Sequence, residues 1–389
     1  MAQAVENVRC SVSKLKVVQP KKEKQPRQKT KKPFARNKIA AVLTAVIVVV
    51  GCAALLVWAL PGLPLKPQTQ QPLSYQGVVE LWNVETFEGG VGSRESWLIN
   101  RAAKFESANK GLFVHVTTLT VEQAESKLNE GQAFDMICFS RGVGSLVKEH
   151  LKAFSGSVGA IKDNYLVSGQ LEGSLYAVPL YSGAYCLFSR AEQLSADRLL
   201  AEALTAKYTR KVGKNTFELQ PLTCGFTPYN SPLSALAFSG GKGKAKVDDT
   251  VTQYQAYEQF VANKTAVTLL GTQRDVYRLS QRESNGKIEN LAFQPLYGYT
   301  DLVQYLSVSQ GAGEKTESCE RFIEYLTSEQ AQSTLTNMSL FSVLDATFYT
   351  ADRYAQCESS LATAYIPNVF GDADAIAKQR QTAIATLNM

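Results

Sequence analysis

The chain has 389 residues, 45% hydrophobic and 20% charged, which excludes a wholly disordered polymer and leaves room for two ordinary domains. Its net charge of +6 conceals an asymmetry: residues 1–38 hold 12 Lys and Arg against two acidic residues, so the remainder is acidic overall. Two histidines, and seven cysteines without a Cys-x-x-Cys pair, argue against histidine-based catalysis, a zinc site and a dense disulfide framework; neither metal nor cofactor is expected.

The basic tail runs directly into an uncharged stretch, Ile39 to Leu60. As a helix it would span about 33 Å, close to a hydrocarbon core of about 30 Å, and so predicts a transmembrane helix. Lys31, Lys32, Arg36 and Lys38 flank it on one side and place the N-terminus in the cytoplasm, with the rest of the chain outside. Val49-Val50-Gly51-Cys52 also resembles a lipoprotein cleavage box, which would instead leave Cys52 acylated. Both readings tether the same body to the cell membrane, the first as a single-pass protein with lipid as the partner of residues 39–60 and of the tail. Because the tail adjoins an apolar span, nucleic acid is not expected as a partner. Residues 61–76, rich in proline and glutamine, read as a linker.

The fold is expected to begin at Gly77. Val78-Val79-Glu80-Leu81-Trp82 reads as a buried strand, followed by a glycine-rich loop. Ser93 is placed to cap a helix whose apolar stripe is Leu98, Ala102 and Phe105, with Gly111 to stop it. Leu112, Val114 and Val116 alternate with Phe113 and His115 as a second strand. Thr120 with Gln123 forms a capping box for a second helix, and Phe134 to Phe139 is a third strand. Strand, helix, strand, helix, strand at this spacing predicts a parallel sheet, with ligands at the carboxyl ends of its strands. Residues 173–190 place an apolar run where the chain crosses between domains. Later, Cys319, Phe322, Ile323 and Leu326 share one helical face, and Thr327 with Gln330 reads as a capping box ahead of Ala331, Leu335 and Met338.

Four segments in order, AFDMICFS, EGSLYAVPL, KTAVTLLGTQRDVYRL and ERFIEYLTSEQAQSTLTNMSLFSV, resemble the bacterial extracellular solute-binding proteins of ABC transporters, family 1, the maltose- and oligosaccharide-binding class. The sequence departs from that pattern at Ala133-Phe134, where a proline is common before the acidic residue, and at Leu340-Phe341-Ser342-Val343, where a proline turn is usual. The resemblance implies an α/β, two-lobe, periplasmic-binding-protein-like (type II) fold with an interlobe cleft, here preceded by one transmembrane helix. It implies a first lobe of residues 77–184 and 298–332 and a second of residues 185–297 and 333–389. It further implies a monomeric, non-enzymatic receptor that captures a small polar solute, a sugar favoured, by lobe closure and delivers it to ABC permease subunits.

Candidate ligand-binding residues follow from position. The loop 83–94 leaves a strand at its carboxyl end, so Glu85 could accept from sugar hydroxyls, Phe87 could stack on a sugar face, and Arg94 could add charge for an anion. Ser140 and Arg141 follow the third strand. Tyr181 and Tyr185 lie at the crossing, where alternation assigns one of them to the core. The resemblance points the turn bearing Arg274 at the ligand from the second lobe, against an alternative salt bridge to Asp275 or Glu283; Tyr297 or Tyr299 would close a wall. For each residue, packing or a surface turn is the bland alternative. A glycosidase is disfavoured because Glu85 and Glu88 share one loop. A ligand-sensing ectodomain beside a membrane signalling protein, or a binder of a non-sugar anionic solute, remains the alternative.

Overall fold

Two β-sheets organise residues 72–389, the part described by the computed structural model apart from residues 246, 247, 249 and 351. The strands in chain order are β1 (Gly77–Val84), β2 (Leu112–Leu119), β3 (Met136–Ser140), β4 (Leu151–Lys152), β5 (Gln170–Leu171), β6 (Ser174–Leu175) and β7 (Val178–Ser182). They continue as β8 (Tyr185–Arg190), β9 (Tyr208–Val212), β10 (Asn215–Cys224), β11 (Ala266–Thr272), β12 (Leu291–Pro295), β13 (Val303–Ser309) and β14 (Phe341–Ser342). The first sheet has the order β14-β7-β13-β3-β1-β2, with β4 also paired to β13; the second has the order β12-β8-β11-β10-β9. β1 pairs in parallel with both β2 and β3, as the alternating helices and strands require, and β13 returns antiparallel between β3 and β7.

The local signals explain these elements. Ser93 Oγ accepts from Ser96 N at 3.1 Å and starts the helix Arg94–Ala108. That helix buries Leu98, Ala102 and Phe105; the Phe105 ring lies 5.1 Å from Phe322 on the helix Thr316–Leu326. Each such phenyl ring withdrawn from water contributes about 2–3 kcal/mol. Thr120 and Gln123 form the expected reciprocal box at the start of the helix Val121–Asn129. The late cap differs: Ser328, not Thr327, accepts from Ala331 N, because Thr327 still closes the preceding helix with near-helical backbone while Ser328 has the extended backbone a cap requires.

The expected transmembrane helix is corrected. Among the described residues no helix is long and apolar enough to cross a membrane, and residues 39–60, like the basic tail and residues 61–71, lie outside the described part. The fold class of the described residues is the two-lobe α/β body. The membrane anchor, the lipid contact and the single-pass placement that depended on that helix are withdrawn with it.

Three crossings join the lobes: Ser182 to Tyr185 between β7 and β8, Pro295 to Val303 between β12 and β13, and the segment after β14. β14 pairs with β7, and Lys162 N donates to Val343 O, so residues 341–343 belong to the first lobe although the sequence assigns them to the second. A two-residue strand has no periodicity from which to read its sheet. Beyond it the helix Arg353–Ser360 packs on the second lobe. The chain then touches the first again, where Val369 N donates to Ser168 O at 2.9 Å, before the final helix Ala373–Leu387 returns against the helix Pro232–Phe238.

Candidate functional site

The crossings join one edge of each sheet. One edge of the first sheet carries the ends of β1, β3 and β7 beside the start of β13, with Gln304 opposite Ser140 and Val303 opposite Ser182. The corresponding edge of the second carries Tyr185 opposite Thr272 and Cys186 opposite Pro295. Of the candidate residues, Arg141, Tyr185 and Tyr299 meet around one carboxylate, Glu85, Phe87 and Arg94 form a second cluster in the first lobe, and Arg274 belongs to a third.

The deepest cluster surrounds Asp301, which is 2% exposed in the second crossing. Its Oδ1 accepts from the Tyr185 hydroxyl at 2.6 Å; Oδ2 accepts from Ser231 N at 2.7 Å and the Tyr299 hydroxyl at 2.8 Å. Arg141 Nη1 from the first lobe stands 3.6 Å from Oδ2. Burial, and then the negative charge of Asp301, push both tyrosine hydroxyls well above their ordinary range, so they remain neutral donors. One carboxylate thus gathers groups from both lobes and the crossing.

The loop 83–94 forms a second cluster. Arg94 Nη2 donates to Glu85 Oε2 at 2.5 Å and Phe87 O at 2.7 Å, and its guanidinium lies over the Phe87 ring. Asn83 Nδ2 holds the other Glu85 oxygen at 3.0 Å. Phe87 is buried beneath Arg94 and not offered to a ligand, whereas Glu85 is half-buried at the mouth of the junction. Ser140 bonds to the Thr86 hydroxyl, which also donates to Arg141 O.

The third cluster bridges the lobes. Arg278 on the helix Gln273–Ser284 holds both oxygens of Glu88, at 2.7 and 3.2 Å, while Arg274 Nη1 donates to Gly90 O at 2.7 Å and its Nε lies 3.4 Å from Glu88. Arg274 therefore contacts the first lobe; Asp275 pairs with Arg278 and Glu283 with Arg353. Burial raises the Asp275 carboxyl to about 6, against the opposing pull of Thr272 N and Arg278.

Tyr181 and Tyr185 are both buried, so the expected division of one to core and one to cleft does not hold; Tyr181 packs edge-on against Trp97 at 6.0 Å. Tyr297 is exposed. Several buried nitrogens along the junction make no hydrogen bond: Arg94 Nη1, Arg141 Nε and Gln273 Nε2. Sequence reasoning did not place Asp301, Arg278 or Tyr229 at this junction, and it named Glu88 only beside Glu85 as a disfavoured glycosidase pair. Arg278 had a signal, being four residues from Arg274 on the same helical face.

Tyr229 comes from the second lobe and lies against Gly142, where a Cβ would overlap its ring. Beside it opens a depression of about 370 Å³ bounded by Glu85, Thr118, Thr120, Glu122 and Gln123. Another, of about 490 Å³, is lined by Thr223, Phe226, Lys244 and Gln259 within the second lobe and receives nothing from the first.

No family model and no curated protein matches the chain. Solved structures do. The GacH receptor of Streptomyces glaucescens is 17% identical, with a TM-score of 0.52 over 80% of this chain and 93% of that one. The sugar-binding protein MalE of Xanthomonas citri is 16% identical, with a TM-score of 0.52 over 80% and 97%. The maltose-bound MalE3 of T. maritima is 14% identical, with a TM-score of 0.51 over 80% and 98%. These likenesses establish the two-lobe fold that the sequence segments resemble.

Proposed function

We propose that the chain is a solute-binding receptor of an ABC importer, taking a small polar solute, a sugar favoured, at the mouth between its lobes and presenting it unchanged to a permease. The observation that carries this is the depression between Glu85, Thr118 and Gln123 of the first lobe and Tyr229 of the second. It joins hydroxyl-binding groups to an aromatic face that can cover an apolar sugar surface, within the volume range of small-molecule sites. A ligand touching both lobes favours their approach by its differential affinity alone, so no chemical step is involved. The described structures that share the fold are named as receptors or binding proteins, which supports binding over catalysis. Glu85 and Glu88 are each tied to an arginine, an arrangement unsuited to a glycosidase acid and base.

One observation favours an anionic solute as a second reading. The buried nitrogens Arg94 Nη1, Arg141 Nε and Gln273 Nε2 make no hydrogen bond and are all donors, and a carboxylate or phosphate would satisfy them if the lobes parted to admit it. Thermal-shift titration of the purified chain with neutral oligosaccharides, acidic sugars, amino acids and inorganic phosphate separates the readings. A ligand at 100 times its Kd adds about 2.7 kcal/mol. A neutral sugar should raise the midpoint of the native chain and not that of Tyr229→Ala. A response confined to acidic compounds selects the second reading, and silence toward every compound rejects both.

A further inference from the structure

Cys186 and Cys357 are 171 residues apart in the chain and meet in the core of the second lobe, with both side chains fully buried and their Sγ atoms 3.3 Å apart. Cys186 follows Tyr185 in β8 and is held in register between Gly271 and Pro295. Cys357 lies on the helix Arg353–Ser360, which enters the second lobe after the third crossing. That helix is fixed over β8 from two sides. Arg353 reaches Glu283 at 2.8 Å and Leu291 O at 3.2 Å, while Glu358 accepts from Phe348 N and Tyr349 N at 3.1 and 3.0 Å. The buried cluster to which both belong is apolar, with Phe188, Val276, Leu279 and Leu361 among its members. The other three described cysteines are engaged elsewhere in the fold: Cys138 receives Gln304 Nε2, Cys224 ends β10 with its thiol directed at Gly225 O at 3.6 Å, and Cys319 lies in the first lobe's late helix.

We propose that Cys186 and Cys357 are a disulfide-forming pair, stapling the C-terminal crossing to the strand that carries Tyr185. The oxidant is a low-molecular-weight disulfide such as oxidised glutathione. The thiolate of one cysteine attacks it, forming a mixed disulfide and releasing one glutathione thiolate. The second cysteine, deprotonated, then attacks the protein-side sulfur and releases the other. Two thiols give up two protons and two electrons, and one glutathione disulfide becomes two thiols. Burial and the neighbouring Cys357 thiol hold Cys186 in its protonated form once the lobe is packed. The bond therefore forms while the chain is folding, when the thiols are still accessible, and the finished core shields it from reductant. It closes a long loop and so restrains the unfolded chain.

The test does not depend on any ligand. The full chain is reduced in denaturant, refolded with and without a mixture of oxidised and reduced glutathione, alkylated in denaturant and mapped by mass spectrometry. Oxidative refolding should yield one cross-linked peptide containing Cys186 and Cys357, and a thermal midpoint several degrees above that of the reduced protein. Cys186→Ser and Cys357→Ala should each abolish the cross-link and the difference between the two midpoints. Full alkylation of both cysteines after oxidative refolding, or their linkage to other cysteines instead, would overturn the proposal; because that readout uses the native sequence, it stands even if a variant fails to fold.

Discussion

Asp301 accepts three hydrogen bonds and faces Arg141 from a buried position, so its carboxylate does the work of several residues at once. Asp301→Asn keeps the shape but turns one acceptor site into a donor facing other donors, and it leaves Arg141 without its counter-charge. Losing one partner of a buried pair costs about 3–5 kcal/mol, and urea unfolding of the variant should show a loss of that size. A loss below about 1 kcal/mol would mean that solvent reaches the cluster. The sequence singled out Arg141, Tyr185 and Tyr299 but not the acid they share. Tyrosines near a crossing are visible as residue types, whereas the group their hydroxyls find depends on how three chain segments separated by many residues converge.

The helix Gln273–Ser284 begins at Thr272, whose N donates to Asp275 Oδ2 at 3.0 Å, and Asp275 is buried there with its carboxyl raised to about 6. A carboxyl whose folded-state value lies above its ordinary 3.8 is protonated more readily in the fold than in the unfolded chain. Its contribution to stability is therefore greatest at acid pH and is lost as the pH rises through about 6. Between pH 4 and 7 the native chain should lose on the order of 3 kcal/mol relative to Asp275→Asn, read from urea midpoints across the range. A pH-independent gap between the two would place the carboxyl at its ordinary value. Elements of this kind were legible where the signal is local. The parallel β1-β2-β3 unit follows from periodicity over a few residues, and the box at Thr120 and Gln123 from two residue types three apart. Thr327 and Ser328 are both competent caps, and only the extent of the preceding helix, which Thr327 closes, decides between them.

The order of the two sheets and the crossings between them are set by pairings of high sequence separation, and these the residues expressed only through their resemblance to a known pattern. The contact between lobes was less legible still, since Glu88 looks like one more acid in a glycine-rich loop. With Arg278 and Arg274 it joins the first lobe to the second through a partly buried, bidentate pair. Charged hydrogen bonds of this kind contribute about 1.5–3 kcal/mol, so Glu88→Gln should shift the balance between joined and parted lobes by about ten- to a hundredfold toward parting. The fold inside each lobe is untouched by the change, because Glu88 has no role in either sheet. Small-angle scattering should therefore give a larger radius of gyration for Glu88→Gln than for the native chain, with a smaller difference at high salt, where the native pair is itself screened. If the two curves superimpose at low salt, the lobes are held by the Asp301 cluster and by the C-terminal segment whose Val369 N donates to Ser168 O instead, and entry of a solute must work against those contacts.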